Sequence, residues 1–258
     1  MIEAVVFDLD GVLLDSEALW DDARHRAAVE EDGHWTAGAT AAMQGMSSPE
    51  WSAYMHDKLA VDLDPGRIVD LVVGKLLARY EEGLPLLPGA LEAVRRLGRR
   101  WRLGLASSAN RVVIDRVLDL AGVGELFAVT VSSEEVARGK PAPDVYLEAL
   151  RRLAVGAETC VAVEDSANGV RSALGAGMHV VVVPNPDFRP SGEVLAAADA
   201  VVRSLDDLTI ELVDGIGQSL MKWRERRLDE VEIESFPASD PHSDWAGPDG
   251  GITVPHRR

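Results

Sequence analysis

Ala4-Val5-Val6-Phe7-Asp8-Leu9-Asp10-Gly11-Val12-Leu13-Leu14-Asp15-Ser16-Glu17 is the stretch on which the reading of this chain turns. A β-branched and aromatic run ends in two carboxylates spaced i, i+2, and a glycine follows at once. Apolar neighbours set these acids apart from a solvated charge run. Such a run predicts a buried parallel strand. In open α/β sheets, ligands bind beyond the carboxyl ends of the strands, so Asp8 and Asp10 stand where a site would form.

Past this strand the period changes. Ser16 is placed to cap a helix carrying Leu19, Ala23, Ala27 and Ala28 at helical spacing. Ser48-Pro49-Glu50 and Asp64-Pro65 repeat the device of a cap followed by an early proline. Residues 16–84 therefore read as wholly helical. After the turn at Leu87-Pro88-Gly89 and a short helix, strands resume at Trp101 to Ala106, Leu126 to Val131, Thr159 to Val163 and His179 to Val183, with helices between them. Alternation of this kind implies right-handed βαβ units and a parallel sheet. The expected fold class is α/β, a Rossmann-like parallel sheet core with an inserted α-helical cap domain. The core takes residues 1–15 and 85–212, the cap 16–84. Residues 213–258 are expected to form a charged, largely disordered tail, its end rich in Pro, Gly, Asp and Ser.

Composition narrows the function. The 258 residues carry 43 acidic and 26 basic side chains, a net charge of -17. A nucleic-acid binder needs a basic face and an anionic membrane surface needs the same, so neither partner is expected. Small anionic substrates stay open, because a site can be locally positive. The single cysteine, Cys160, lies in an apolar run and cannot pair internally; a reducing cytoplasm is expected. No apolar run is long enough to span a bilayer, and no basic segment precedes an apolar one at the start, so no signal peptide is expected. A monomer is expected.

Four strand ends carry polar groups: Asp8 and Asp10, Ser107 and Ser108, Lys140 in the loop after the third strand, and Glu164 with Asp165. Taken singly, each reads as local capping or turn chemistry. Taken together, they would converge on one edge of a parallel sheet. Asp8, Glu164 and Asp165 offer hard oxygen ligands that suit magnesium. A metal and Lys140 together would neutralise a dianionic phosphate beside a carboxylate nucleophile. The Ser107 hydroxyl and nearby backbone N–H groups can hold phosphoryl oxygens, and Asp10 can handle the leaving-group proton.

These motifs resemble the haloacid dehalogenase superfamily, in its helical-cap group of phosphatases and β-phosphoglucomutase-like enzymes. Asp8-Leu9-Asp10-Gly11-Val12-Leu13-Leu14-Asp15-Ser16-Glu17 is similar to the first motif, Ser107 to the second, Lys140-Pro141-Ala142-Pro143-Asp144 to the third and Glu164-Asp165-Ser166-Ala167-Asn168-Gly169 to the fourth. The likeness covers about residues 1–205. It implies that Asp8 is the nucleophile, Asp10 the general acid and base, and Lys140 the stabiliser of both Asp8 and the transferring phosphoryl group. It implies phosphate contacts from Ser107, Ser108, Gly11 and Lys140. It implies Mg2+ held by Asp8, the Asp10 carbonyl, Glu164 and Asp165, and a mobile cap that selects a small phosphorylated substrate.

A phosphatase is the first reading and a phosphomutase the second. Trp20 stands near where the mutases carry a cap histidine, and Gln44-Gly45-Met46-Ser47-Ser48-Pro49 lacks the basic residue of their cap loop. His25, Arg24 or Lys75 are the possible substitutes, although Arg24 and His25 read first as a solvent-facing polar stripe. Intact Asp10 argues against a dehalogenase, and intact motifs argue against a non-catalytic binding protein on the same fold. Met46 and Trp51 read as core, with the cap entrance as the alternative.

Overall fold

A computed structural model describes residues 1–43, 46–185 and 189–218 of the chain. Six parallel strands form its sheet: β1 (Ala4–Phe7), β2 (Arg102–Ser107), β3 (Phe127–Ser132), β4 (Cys160–Glu164), β5 (His179–Val182) and β6 (Ala200–Val201). Their spatial order is β3-β2-β1-β4-β5-β6. β1 lies at the centre, pairing β2 on one side and β4 on the other. Every residue of β1 is buried, as its unbroken apolar run requires of a strand covered on both faces. Chain order reverses beside β1, so the crevice beyond its carboxyl end is the topological switch point.

Four helices follow β1 without an intervening strand: α1 (Glu17–Glu30), α2 (Ala39–Met43), α3 (Ser48–Leu59) and α4 (Pro65–Glu82). α4 buries Ile68, Val72, Val73, Leu76 and Tyr80, one stripe at helical spacing. Each of the aliphatic side chains contributes roughly 1.5–3 kcal/mol by leaving water. Asp64 caps α4, accepting from the Arg67 N–H at 3.2 Å.

Two other caps differ from expectation, both usefully. Ser16 precedes α1, but its hydroxyl donates to the Asp10 carboxylate instead of capping. Ser47, not Ser48, is the N-cap of α3, and its N–H donates to Glu50 Oε2 at 2.7 Å. Ser48 is thereby freed to donate to Asn110 Oδ1 at 2.8 Å, tying the helical segment to the sheet domain.

The sheet is flanked by α5 (Ala90–Gly98), α6 (Arg111–Ala121), α7 (Asp144–Leu153), α8 (Ala167–Gly175) and α9 (Gly192–Ala196). β6 is an addition to the five expected strands. At two residues, it is too short to give a readable alternation. Residues 210–218 are helical, and Val213 and Ile216 are buried in the main core. The packed body thus runs past the boundary expected at 212, and the rest of the expected tail lies outside the described residues.

Candidate active site

β1 delivers Asp8 to the switch point, where its side chain is 10% exposed. Asp8 Oδ1 accepts the Leu9 N–H at 2.7 Å. Oδ2 lies 3.0 Å from Lys140 Nζ, which also donates to Glu164 Oε1 at 2.6 Å. The Tyr146 hydroxyl donates to that same oxygen at 2.6 Å. A buried cation thus bridges two buried carboxylates, one at the end of each of two adjacent strands.

Burial, with Glu164 and Asp10 adding like charge, pushes the Asp8 carboxyl up to about 7, while Lys140 works against the rise. Burial disfavours the Lys140 charge, yet Asp8 and Glu164 outweigh it and hold the ammonium above its ordinary range. Lys140 therefore stays protonated and shields Asp8. Burial, reinforced by Glu164 and Asp8, pushes Asp165 well above the usual carboxylate range.

Asp8, Glu164 and Asp165 each offer a ligand atom within 4.8 Å of the others. Three like charges at that spacing, with one lysine among them, fit a hard divalent cation. The three are not equivalent. Glu164 is fully buried, and Oε1 already serves Lys140 and Tyr146. Its Oε2 accepts from the Asp165 N–H at 3.2 Å and the Ser166 hydroxyl at 3.3 Å. Asp8 and Asp165 line the cleft, and Glu164 lies behind them with a ligand atom in reach of the same point.

Two glycines are fixed by these acids. A Cβ on Gly11, whose φ is +76°, would stand 1.9 Å from Asp165 Oδ2. One on Gly169 would meet the Glu164 carboxylate at the same 1.9 Å. Only glycine lets the backbone approach so closely.

Asp10 sits past the strand end, where Ser16 Oγ and Trp20 Nε1 both donate to its Oδ1, the latter at 3.1 Å. Burial raises its pKa, and these two donors restrain the rise. Ser108 and Ala109 line the cleft at the end of β2. Ser107 is fully buried, its Oγ accepting the Ala109 N–H at 3.0 Å, so it shapes the loop that faces the cleft.

The cleft holds about 410 Å³ and brings Asp8, Asp10, Lys140 and Asp165 together with residues of the helical segment. Met46 and Trp51 belong to its lining. Gln44 lies outside the described residues. The polar-stripe reading of α1 fails for Arg24. It is only 9% exposed, lines the cleft and stacks over Trp20 and Trp51, 5.3 Å from each ring centroid. His25 does face solvent, beside Trp35 at 5.0 Å, and Lys75 pairs with Glu30. Glu17 and Asn168 also line the cleft, where their motif positions alone predict no site role. A helix starting at Ser16 with its 3.6-residue period puts Glu17, Trp20 and Arg24 on one face; the polar identity of two of them obscured that face.

The chain is thus an α/β protein whose parallel sheet carries a carboxylate-lysine cluster at its switch point. The model of the haloacid dehalogenase-like hydrolases matches residues 2–177, and the chain belongs to that family. Hexitol phosphatase B of Escherichia coli (strain K12) is 34% identical over 219 residues, covering 81% of this chain and 95% of its own. Protein CbbY of Rhodobacter capsulatus is 32% identical over 215 residues, 77% of this chain and 91% of that one. The crystal structure of CbbY from Rhodobacter sphaeroides in complex with phosphate superposes with a TM-score of 0.76 at 28% identity, covering 83% of this chain and all of that one. The expected class, a phosphoric monoester hydrolase, stands. Among the described residues, no helix is long and apolar enough to cross a membrane.

Proposed function

We propose that this protein is a magnesium-dependent phosphatase that hydrolyses a small phosphorylated metabolite, of the sugar phosphate or phosphoglycolate class, through an aspartyl-phosphate on Asp8. The observation that carries this reading is the 3.0 Å contact between Lys140 Nζ and Asp8 Oδ2 inside a buried acidic cluster. It favours the ionised carboxylate, against the burial that would protonate it, where an anionic substrate must approach.

Asp8 would attack the phosphorus while Asp10, held by Ser16 and Trp20, gives a proton to the leaving oxygen. Asp10 would then take a proton from the water that cleaves the acyl phosphate, returning both carboxylates to their starting state. Lys140 and Ser108 would hold the phosphoryl oxygens, on a loop shaped by Ser107, with Gly11 giving its backbone room beside Asp165. Asp8, Asp165 and the Asp10 carbonyl would hold Mg2+, with Glu164 behind them. The ion supplies charge neutralisation that lets a dianion meet a carboxylate. Residues 16–84 form, on this reading, the cap that closes over the site, and residues 1–15 and 85–212 the core. The fully buried, unpaired Cys160 agrees with a cytoplasmic, reducing setting.

Chelation tests the metal. Excess EDTA is expected to abolish hydrolysis of 4-nitrophenyl phosphate and added Mg2+ to restore it; full activity in EDTA would contradict the assignment. Trp20 supplies a second prediction. The Trp20 N–H favours ionised Asp10, so Trp20→Phe should raise the Asp10 pKa. The alkaline limb of the pH–rate profile, set by loss of the general-acid proton, should then move to higher pH. The turnover number should fall about 10-fold, the scale of one hydrogen bond to a charged group. An unmoved alkaline limb would remove Trp20 from this role.

A phosphomutase reading is weakened by Trp20 and by the described cap-loop residues Met46, Ser47 and Ser48, none of them basic. Conversion of a hexose 1-phosphate to its 6-phosphate, without release of inorganic phosphate, would reverse that ranking.

A further inference from the structure

Arg24 is the cleft residue that the chemistry above leaves without a task. The residue is 9% exposed, and its guanidinium is stacked over Trp20 and Trp51, with 5.3 Å to each ring centroid. Its Nε is buried and has no hydrogen-bond partner. No ion pair to Arg24 is found among the described residues. Three carboxylates act on its charge, Glu17, Asp21 and Asp10; Asp21 Oδ1, three residues earlier, is buried and unpartnered as well. A buried, unsatisfied donor of this kind costs free energy that a structural role would not leave uncompensated. A guanidinium carries five N–H donors on a rigid plane, and among the described residues the buried Nε of this one has no acceptor.

What the guanidinium would take follows from its neighbours. Arg24 shares the cleft with Glu17, an acceptor two turns earlier on the same face of α1, and with the two indoles. The lining sets four carboxylates (Asp8, Asp10, Glu17, Asp165) against three cations (Lys140, Arg24, Arg189). A divalent ion and a phosphate dianion cancel, so no positive charge is left over for a second anion. A donor beside an acceptor, walled by aromatic faces, matches vicinal hydroxyls on a carbon chain. Hydroxyl oxygens can accept from the guanidinium and hydroxyl protons can go to the carboxylate, while the indoles back the guanidinium.

Resting on the phosphatase reading, we infer that Arg24 and Glu17, between Trp20 and Trp51, form the subsite for the uncharged polyhydroxyl end of the substrate. The protein then selects a polyol monophosphate over a bisphosphate or a phosphorylated carboxylic acid. Arg24 occupies a helix face, not the cap loop where the mutases carry their cation, and it acts on specificity without touching the phosphorus.

The test compares kcat/KM of the full-length protein for four compounds: a hexitol monophosphate, a hexose bisphosphate, phosphoglycolate and 4-nitrophenyl phosphate. Wild type is expected to prefer the hexitol monophosphate. In Arg24→Met, the ratio of kcat/KM for that compound to that for 4-nitrophenyl phosphate should fall about 10- to 100-fold, mainly through KM. Arg24→Lys should recover part of it, and Glu17→Gln should lower the same ratio. Should Arg24→Met fail to fold, Arg24→Lys and Glu17→Gln carry the comparison. An unchanged ratio in the variants overturns the subsite. So does a wild-type preference for the bisphosphate or phosphoglycolate that Arg24→Met abolishes, which would make Arg24 an anion site. If wild type cleaves 4-nitrophenyl phosphate without favouring the polyol, the subsite alone fails; if it cleaves none of the four, the phosphatase reading fails and the subsite with it.

Discussion

Replacing Asp8 by Asn should abolish phosphatase activity and leave the fold intact. Asn has the shape of Asp8 and keeps an acceptor for the Leu9 N–H, now 2.7 Å from Oδ1. It lacks the nucleophilic charge. Loss of a group that acts covalently costs on the order of 10⁴- to 10⁶-fold in turnover, measurable as release of 4-nitrophenol. The same variant makes a separate prediction about stability. Asp8 binds its proton up to about pH 7 when folded, against an ordinary value of 3.8. Across that window the folded, metal-free protein holds a proton that the unfolded chain has lost, so stability falls as pH rises. Asp8→Asn removes this titration. In metal-free buffer its thermal unfolding temperature should exceed that of wild type near pH 8, and the difference should shrink toward pH 4. A variant less stable than wild type near pH 8 would mean that the buried charge is better compensated than the contacts with Lys140 imply.

Lys140→Met is expected to have the second-largest effect, because Lys140 serves two carboxylates at once. Removing it leaves Asp8 and the fully buried Glu164 without their cation. Breaking a buried ion pair on one side costs roughly 3–5 kcal/mol of stability. Loss of a donor aimed at the transferring group costs about 10²- to 10³-fold in turnover. Tyr146 limits the damage, since its hydroxyl keeps hold of Glu164 Oε1 at 2.6 Å. The variant should therefore fold at reduced temperature and bind divalent metal, yet turn over slowly. Urea unfolding and steady-state rates check the two effects independently. Near-normal turnover in a fully folded Lys140→Met would remove Lys140 from the chemistry.

The sheet and the carboxylate cluster were legible in the sequence because each leaves a one-dimensional trace. β1 is an unbroken apolar run, and its acids follow directly. Glu164 and Asp165 end another such run, and Lys140 opens a loop rich in proline. Roles that depend on which way a side chain turns left no such trace. Ser16 has the identity of an N-cap but gives its hydroxyl to Asp10. Ser47 and Ser48 are adjacent and alike, and only the backbone decides which of them caps α3 and which reaches Asn110. Arg24 was hidden for a different reason. Charged residues on a helix normally face water, and nothing in its neighbours signalled that two tryptophans from α1 and α3 would enclose it. β6 was missed because two residues cannot display an alternation.

Everything proposed for this site depends on a covalent phosphoryl group at Asp8. A rapid acid quench during turnover, followed by borohydride reduction and peptide mass spectrometry, reads it directly. Reduction of an acyl phosphate would convert Asp8 to homoserine, in wild type and only when substrate and Mg2+ are both present. An unreduced Asp8 in enzyme quenched at full turnover, or reduction at a different carboxylate, would contradict the account.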